Sequence, residues 1–130
     1  LKMYKLLFLF VAILILSGCG IQNEETQVRE FSLEATTKLK TAATIYPDRA
    51  YQDGEVPLNE WIQMTGKITD TDSQSEEIRK GDRFVLQTDS AKYQIFNQQE
   101  TTLYLNDEVT VYGEYYGFIK GTLIERNTGR

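Results

Sequence analysis

From Leu58 onward the chain breaks into five short β-rich runs, "NEWIQMTGKITD", "DRFVLQTD", "KYQIFN", "DEVTVYGEYYG" and "IKGTLIER", each bounded by polar or glycine-containing turns. Runs of this length and composition read as strands. In the first, Ile62, Met64 and Ile68 fall on one side and Trp61, Gln63, Thr65 and Lys67 on the other, the two-residue period of a half-buried strand. Gly66 and Gly113 lie inside strand patterns, where a missing side chain points to a bulge or a sharp bend. Five such strands bury their apolar faces and leave few open edges if the sheet bends into a small closed barrel. The expectation is a mainly β fold, with a barrel over about 58–126.

One helix precedes it. The stretch "VREFSLEATTKLKTAATIY" places Val28, Phe31, Ala35, Leu39 and Ala42 at spacings of three and four, the stripe of a helix packed on the domain. Pro47 and "DRAYQDGEVP" then end the helix, and their turn formers predict no regular structure before the first strand.

The first residues follow a different pattern. Lys2 and Lys5 are followed by an unbroken apolar run from Leu6 to Leu16 and then by Ser17, Gly18 and the single cysteine, Cys19. A basic head, an apolar stretch of roughly 7–15 residues and a small-residue exit describe a secretory signal peptide. A membrane-spanning helix needs about 20 apolar residues. The four residues Leu16-Ser17-Gly18-Cys19 resemble the lipobox of bacterial lipoproteins. That resemblance implies a signal peptide over 1–18, a diacylglyceryl group with palmitate-type chains on the Cys19 sulfur, and a mature chain beginning at Cys19. The bland alternative is a secreted protein with an unpaired thiol, although a lone cysteine beside a cleavage site has no disulfide partner and no packing role. Two acyl chains hold a protein at a bilayer stably where one does so only marginally. Residues 19–27, with "GIQNEETQ" polar and aperiodic, then read as a tether to a domain over 28–130.

Losing residues 1–18 removes two lysines and no acids, so basic residues fall from 14 to 12 against 19 acidic ones and the formal charge moves from −5 to −7. Nucleic-acid binders ordinarily carry a basic patch or stripe. The acidic balance makes nucleic acid an unlikely partner and leaves the lipid to hold the protein at an anionic surface.

The order "WIQMTGKIT", "FVLQT", "YQIFN" and "LNDEVTVYGEYYGFIKGTLI" resembles the OB-fold domains of the tRNA-anticodon-binding-like family. The shared grammar is a first strand ending in Thr65-Gly66-Lys67-Ile68, a turn at Asn106-Asp107-Glu108, and Val109 to Gly113 leading to a last strand. The resemblance implies a five-stranded OB-fold-like barrel behind a leading helix. One segment departs from the pattern. "QQETTLYL" is too short for the helix that many OB-folds carry between their third and fourth strands, which predicts a barrel less well capped at that end.

Chemistry is constrained mainly by what is missing. With no histidine, and the only cysteine assigned to lipid, Ser-His and Cys-His catalysis and thiolate or imidazole metal sites have no residues to use. Asp70 and Asp72 have the spacing of a calcium loop, but Ser75 stands where that motif needs glycine and Gly81 where it needs the bidentate acid. No catalytic residue, metal site or cofactor is expected. Aromatic residues carry the binding expectation: Tyr112, Tyr115, Tyr116 and Phe118 around the last hairpin, and Trp61 on the polar face of the first strand. OB-folds bind ligands on the outer face of their second and third strands and on the loops after the first and fourth. Aromatics there stack on bases or sugars or anchor a protein, and the same residues equally close the ends of a small core. The expected function is a non-catalytic module held by its lipid on the extracytoplasmic face of the cell membrane. The resemblance implies that it serves a cell-envelope protein partner, as an accessory to conjugation or other envelope machinery. The alternative is an OB-fold binder of single-stranded nucleic acid or oligosaccharide.

Overall fold

The computed structural model describes residues 32–127. The expected signal segment 1–18, the expected lipid site Cys19, the expected tether 19–27 and the stripe residues Val28 and Phe31 lie outside the described residues. Two compact units divide the chain between Lys38 and Leu39. Residues 32–42 are helical (α1), and the hydroxyls of Thr36 and Thr37 bond back to the carbonyls of Ser32 and Leu33 at 2.9 Å. From Leu39 onward the order is the end of α1, then β1 (Thr44–Ile45), α2 (Asp48–Gln52), β2 (Trp61–Thr71), β3 (Glu77–Ile78), β4 (Arg83–Gln87), β5 (Lys92–Asn97), β6 (Leu103–Tyr104), β7 (Glu108–Tyr115) and β8 (Ile119–Arg126).

All five expected strands form, as β2, β4, β5, β7 and β8. Their lateral order is β2-β4-β5-β8-β7, and β7 pairs again with β2, so the sheet closes on itself. Every barrel pairing is antiparallel except β5 with β8. The protein is mainly β, a five-stranded OB-fold-like barrel. Alternation drives closure: Ile62, Ile68, Phe84, Leu86, Ile95, Val109, Val111 and Ile119 point inward and are at most 1% exposed. Burying each such side chain contributes about 1.5–3 kcal/mol.

The two strand glycines act differently from simple bulges. The extra residues of the ladders are Thr69, opposite β4, and Thr122, opposite β7. Gly66 lies where β2 leaves β7 for β4, and a Cβ there would come 2.5 Å from the Gln87 carbonyl oxygen. At Gly113, which sits at the β7 shift, a Cβ would meet the Lys120 carbonyl oxygen more closely still. Both are glycine because another backbone crosses where a side chain would start.

Three sequence expectations need correction. The end of the barrel expected to be poorly capped is closed by a ribbon of β3 and β6, which pair Ile78 with Leu103 and bury both completely. The segment expected to lack regular structure holds α2, started by Pro47, whose fixed φ and missing N–H suit a helix start. It drives Ala50 and Tyr51 into the core. The third concerns the helical stripe, since Leu39 is 41% exposed and Ala42 is exposed. The last turn of α1 is held by polar contacts instead: the Trp61 indole N–H donates to the Leu39 carbonyl at 2.7 Å, and Lys40 pairs with Glu125.

Candidate functional site

Strand register lines up a row of outward side chains across the whole barrel. Arg83 of β4 stands opposite Phe96 of β5, Phe96 opposite Lys120 of β8, Lys120 opposite Glu114 of β7, and Glu114 opposite Trp61 of β2. The neighbouring pair, Val85 and Gln94, is also outward. Val85 and Phe96 are thus apolar residues on the solvent side of strands whose inner faces are already filled by Phe84, Leu86, Tyr93 and Ile95. Two shallow depressions meet here. One of about 340 Å³ is lined by Asp70, Asp72, Arg83, Val85 and Gln94, and one of about 290 Å³ by Arg83, Gln94, Phe96 and Phe118.

The loops on either side are built rather than loose. Arg83 donates its backbone N–H to Asp72 Oδ1 at 2.7 Å and its Nε–H to Asp72 Oδ2 at 2.9 Å, while the Thr71 hydroxyl donates to the Arg83 carbonyl. The backbone N–H and then the guanidinium of Arg83 hold the Asp72 carboxyl below its ordinary range. In the acidic loop beyond it, the hydroxyls of Ser73 and Ser75 both donate to the Glu77 carbonyl, and Arg79 pairs with Glu77. Among the described residues no group of three or more Asp, Glu, His or Cys side chains gathers as metal ligands. On the other side, Gly117 turns the β7–β8 hairpin at a φ of +95°, a conformation that favours glycine. The turn stands Tyr116 and Phe118 out of the barrel, 37% and 45% exposed, with ring centroids 5.8 Å apart. The Tyr116 hydroxyl donates to the Glu114 carboxylate, and that bond raises its pKa.

The five expected aromatics therefore separate. Tyr116 and Phe118 reach this face. Tyr115 turns inward and packs edge-on against Tyr51, 5.2 Å between centroids, in a ring cluster with Tyr46 and Tyr93. Tyr112 is 6% exposed and belongs to packing. Trp61 is half-buried with its only polar atom engaged by Leu39, so it ends the row as a strut. Cys19 lies outside the described residues. Sequence reasoning missed Arg83, Val85, Gln94 and Phe96. Their signal was available in "RFVLQ" and "YQIFN", where apolar residues occupy both phases of an alternating strand.

Every described arginine is engaged: Arg49 with Asp53, Arg79 with Glu77, Arg83 with Asp72 and Arg126 with Asp107, at 2.5 to 3.4 Å. Among the described residues no helix is long and apolar enough to cross a membrane. No family model, curated protein or solved structure matches the chain.

Proposed function

We propose that this chain is an extracytoplasmic lipoprotein, anchored through lipid on Cys19, whose barrel is a non-catalytic module that binds a cell-envelope protein. The observation that carries the reading is the make-up of the outer face. Phe96, Phe118, Tyr116 and Val85 form an apolar centre, and Arg83, Gln94, Lys120 and Glu114 surround it with both signs of charge. Aromatic anchors within a mixed polar rim are what protein interfaces select. A phosphate backbone needs cations free to replace its counterions, and the arginines here already serve carboxylates. An exposed Trp61 over a polar trough would favour sugar, and Trp61 is instead half-buried with its indole N–H taken by the Leu39 carbonyl.

Photo-crosslinking in intact cells tests this. A photoreactive residue replacing Phe118 should give a discrete protein adduct, while one replacing Glu55, exposed beyond α2, should not. Phe96→Ala should weaken the adduct, since an anchor of this kind contributes on the order of 2 kcal/mol. No adduct at 118, equal labelling from 55, or an adduct lost on nuclease treatment would contradict the reading.

A further inference from the structure

The two depressions of the outer face share Arg83 and Gln94, but their remaining walls differ in chemistry. The one of about 290 Å³ is completed by two rings, Phe96 and Phe118. The one of about 340 Å³ carries two acids, Asp70 and Asp72. Register fixes how they adjoin. Asp70 of β2 stands opposite Val85 of β4, and Val85 opposite Gln94 of β5, while Arg83 and Phe96 form the next outward pair along β4 and β5.

The polar groups of these walls are unequally engaged. Arg83 occupies both Asp72 oxygens, with its backbone N–H and with Nε, so those two charges offset each other. Asp70 is exposed and its Oδ1 accepts the Thr71 backbone N–H at 2.9 Å, while among the described residues no lysine or arginine pairs with it. Two acids against one arginine therefore leave this depression one formal negative charge. Between the two depressions the exposed Gln94 carboxamide bonds to nothing among the described residues, which keeps its donors and its acceptor for a ligand.

Resting on the protein-binding role proposed above, we infer that this face reads an extended segment of its partner carrying an aromatic residue and, two positions away, a lysine or arginine. The aromatic side chain packs on the Phe96 and Phe118 rings, where edge-on and offset contacts are favoured. The Gln94 carboxamide bonds the backbone between the two side chains, and the cation faces Asp70. Asp70 lies two strand spacings from β5, about 10 Å, and Phe96 is two residues along from Gln94, about 7 Å, so the two contacts are on the order of 12 Å apart. Side chains two residues apart in an extended segment share one side at a separation of about 7 Å, and the length of a lysine or arginine spans the rest. An acid at that position would meet Asp70 and Asp72 instead, and this repulsion supplies selectivity.

The test titrates the full ¹⁵N-labelled chain in detergent micelles with three blocked pentapeptides: Ala-Tyr-Ala-Lys-Ala, its counterpart with glutamate for lysine, and its counterpart with alanine for tyrosine. The first should shift the amides of Asp70, Gln94, Phe96 and Phe118 saturably, and the other two should bind at least about threefold more weakly. Asp70→Lys should reverse the order of the lysine and glutamate peptides while the spectrum stays dispersed. No saturable shift at millimolar peptide, equal binding of the lysine and glutamate peptides, or an order unchanged by Asp70→Lys would each overturn the inference. In cells, Asp70→Lys should also remove most of the adduct formed from a photoreactive residue at 118. An adduct undiminished by Asp70→Lys would overturn the basic segment and leave the protein-binding role standing, whereas no adduct even with Asp70 in place would overturn that role.

Discussion

Asp107→Ala should lower the stability of the barrel by about 3–5 kcal/mol, the usual consequence of removing one partner from a buried ion pair. The Asp107 side chain is 1% exposed and accepts three bonds, from Arg126 Nε at 2.9 Å, Arg126 Nη2 at 3.3 Å and the Tyr104 backbone N–H at 2.9 Å. Its own carbonyl receives the Ile68 N–H, so the residue ties the β6–β7 turn to β2 and to the end of β8. Arg126 in turn sits 5.3 Å from the centre of the Tyr104 ring. Alanine leaves that guanidinium, whose side chain is only 20% exposed, without its counter-charge. A domain of this size holds roughly 5–15 kcal/mol in total, so the variant should melt at least ~12 °C lower. Asp107→Asn keeps an acceptor for Tyr104 and should lose less. Thermal unfolding followed by circular dichroism measures both, and a shift under ~3 °C for Asp107→Ala would contradict the assignment.

Asp48→Ala should come second, at about 2–4 kcal/mol, because hydrogen bonds to a charged acceptor contribute roughly 1.5–3 each and do not add fully when they share one carboxylate. Asp48 accepts from the hydroxyls of Tyr93 at 2.6 Å and of Thr88 and Ser90 at 2.7 Å, and so clamps α2 to the β4–β5 hairpin. Burial pushes its carboxyl upward, but the bonds from Tyr93, Ser90 and Thr88 prevail and its pKa lies below the ordinary 3.8. Burial, then the bond to Asp48, raises the Tyr93 phenol far above its usual value, so that hydroxyl remains a donor at any ordinary pH. A carboxylate with a depressed pKa contributes stability that is complete above its unfolded value and is lost as pH falls through the folded one. Wild-type stability should therefore fall as pH drops below about 4, and Asp48→Asn should flatten that fall. Parallel acid limbs for the two proteins would show that the clamp is not the titrating element.

The barrel was legible because it rests on a local rule. Each strand alternates, and the inward residues of "WIQM", "RFVL", "YQIF" and "EVTV" are those the structure buries. What escaped depends on contacts far apart in sequence. α2 is five residues long, started by Pro47 and secured by Asp48 reaching hydroxyls 40 to 45 positions away, and no periodicity announces such an element. The ribbon of β3 and β6 has two residues on each side, below the length at which a pattern exists. The aromatic expectation divided for a similar reason. Tyr112, Tyr115 and Tyr116 are almost consecutive, yet Tyr115 stands opposite Ile119 in the core phase, Tyr112 opposite Gln63 in the outward phase, and Tyr116 falls in the turn beyond β7. Phe96 shows the reverse: its outward phase was readable from Ile95 beside it, while its place between Arg83 and Lys120 needed the β4-β5-β8 order.

The proposed face and the proposed anchor depend on each other. A shallow mixed surface on a small barrel binds weakly in free solution, and confinement to a bilayer raises the effective concentration of a partner in the same membrane by orders of magnitude. That is the physical reason to join the proposed lipid on Cys19 to the proposed binding face.

Mass spectrometry of the product purified from its native membrane tests that joint claim most directly. Polypeptide starting at Cys19, heavier than its amino acids by a fatty diglyceride, is the predicted species. Were the membranes to yield a chain with residues 1–18 intact and the Cys19 thiol open to alkylation, acyl anchoring would be excluded, and with it the envelope setting on which the binding role depends.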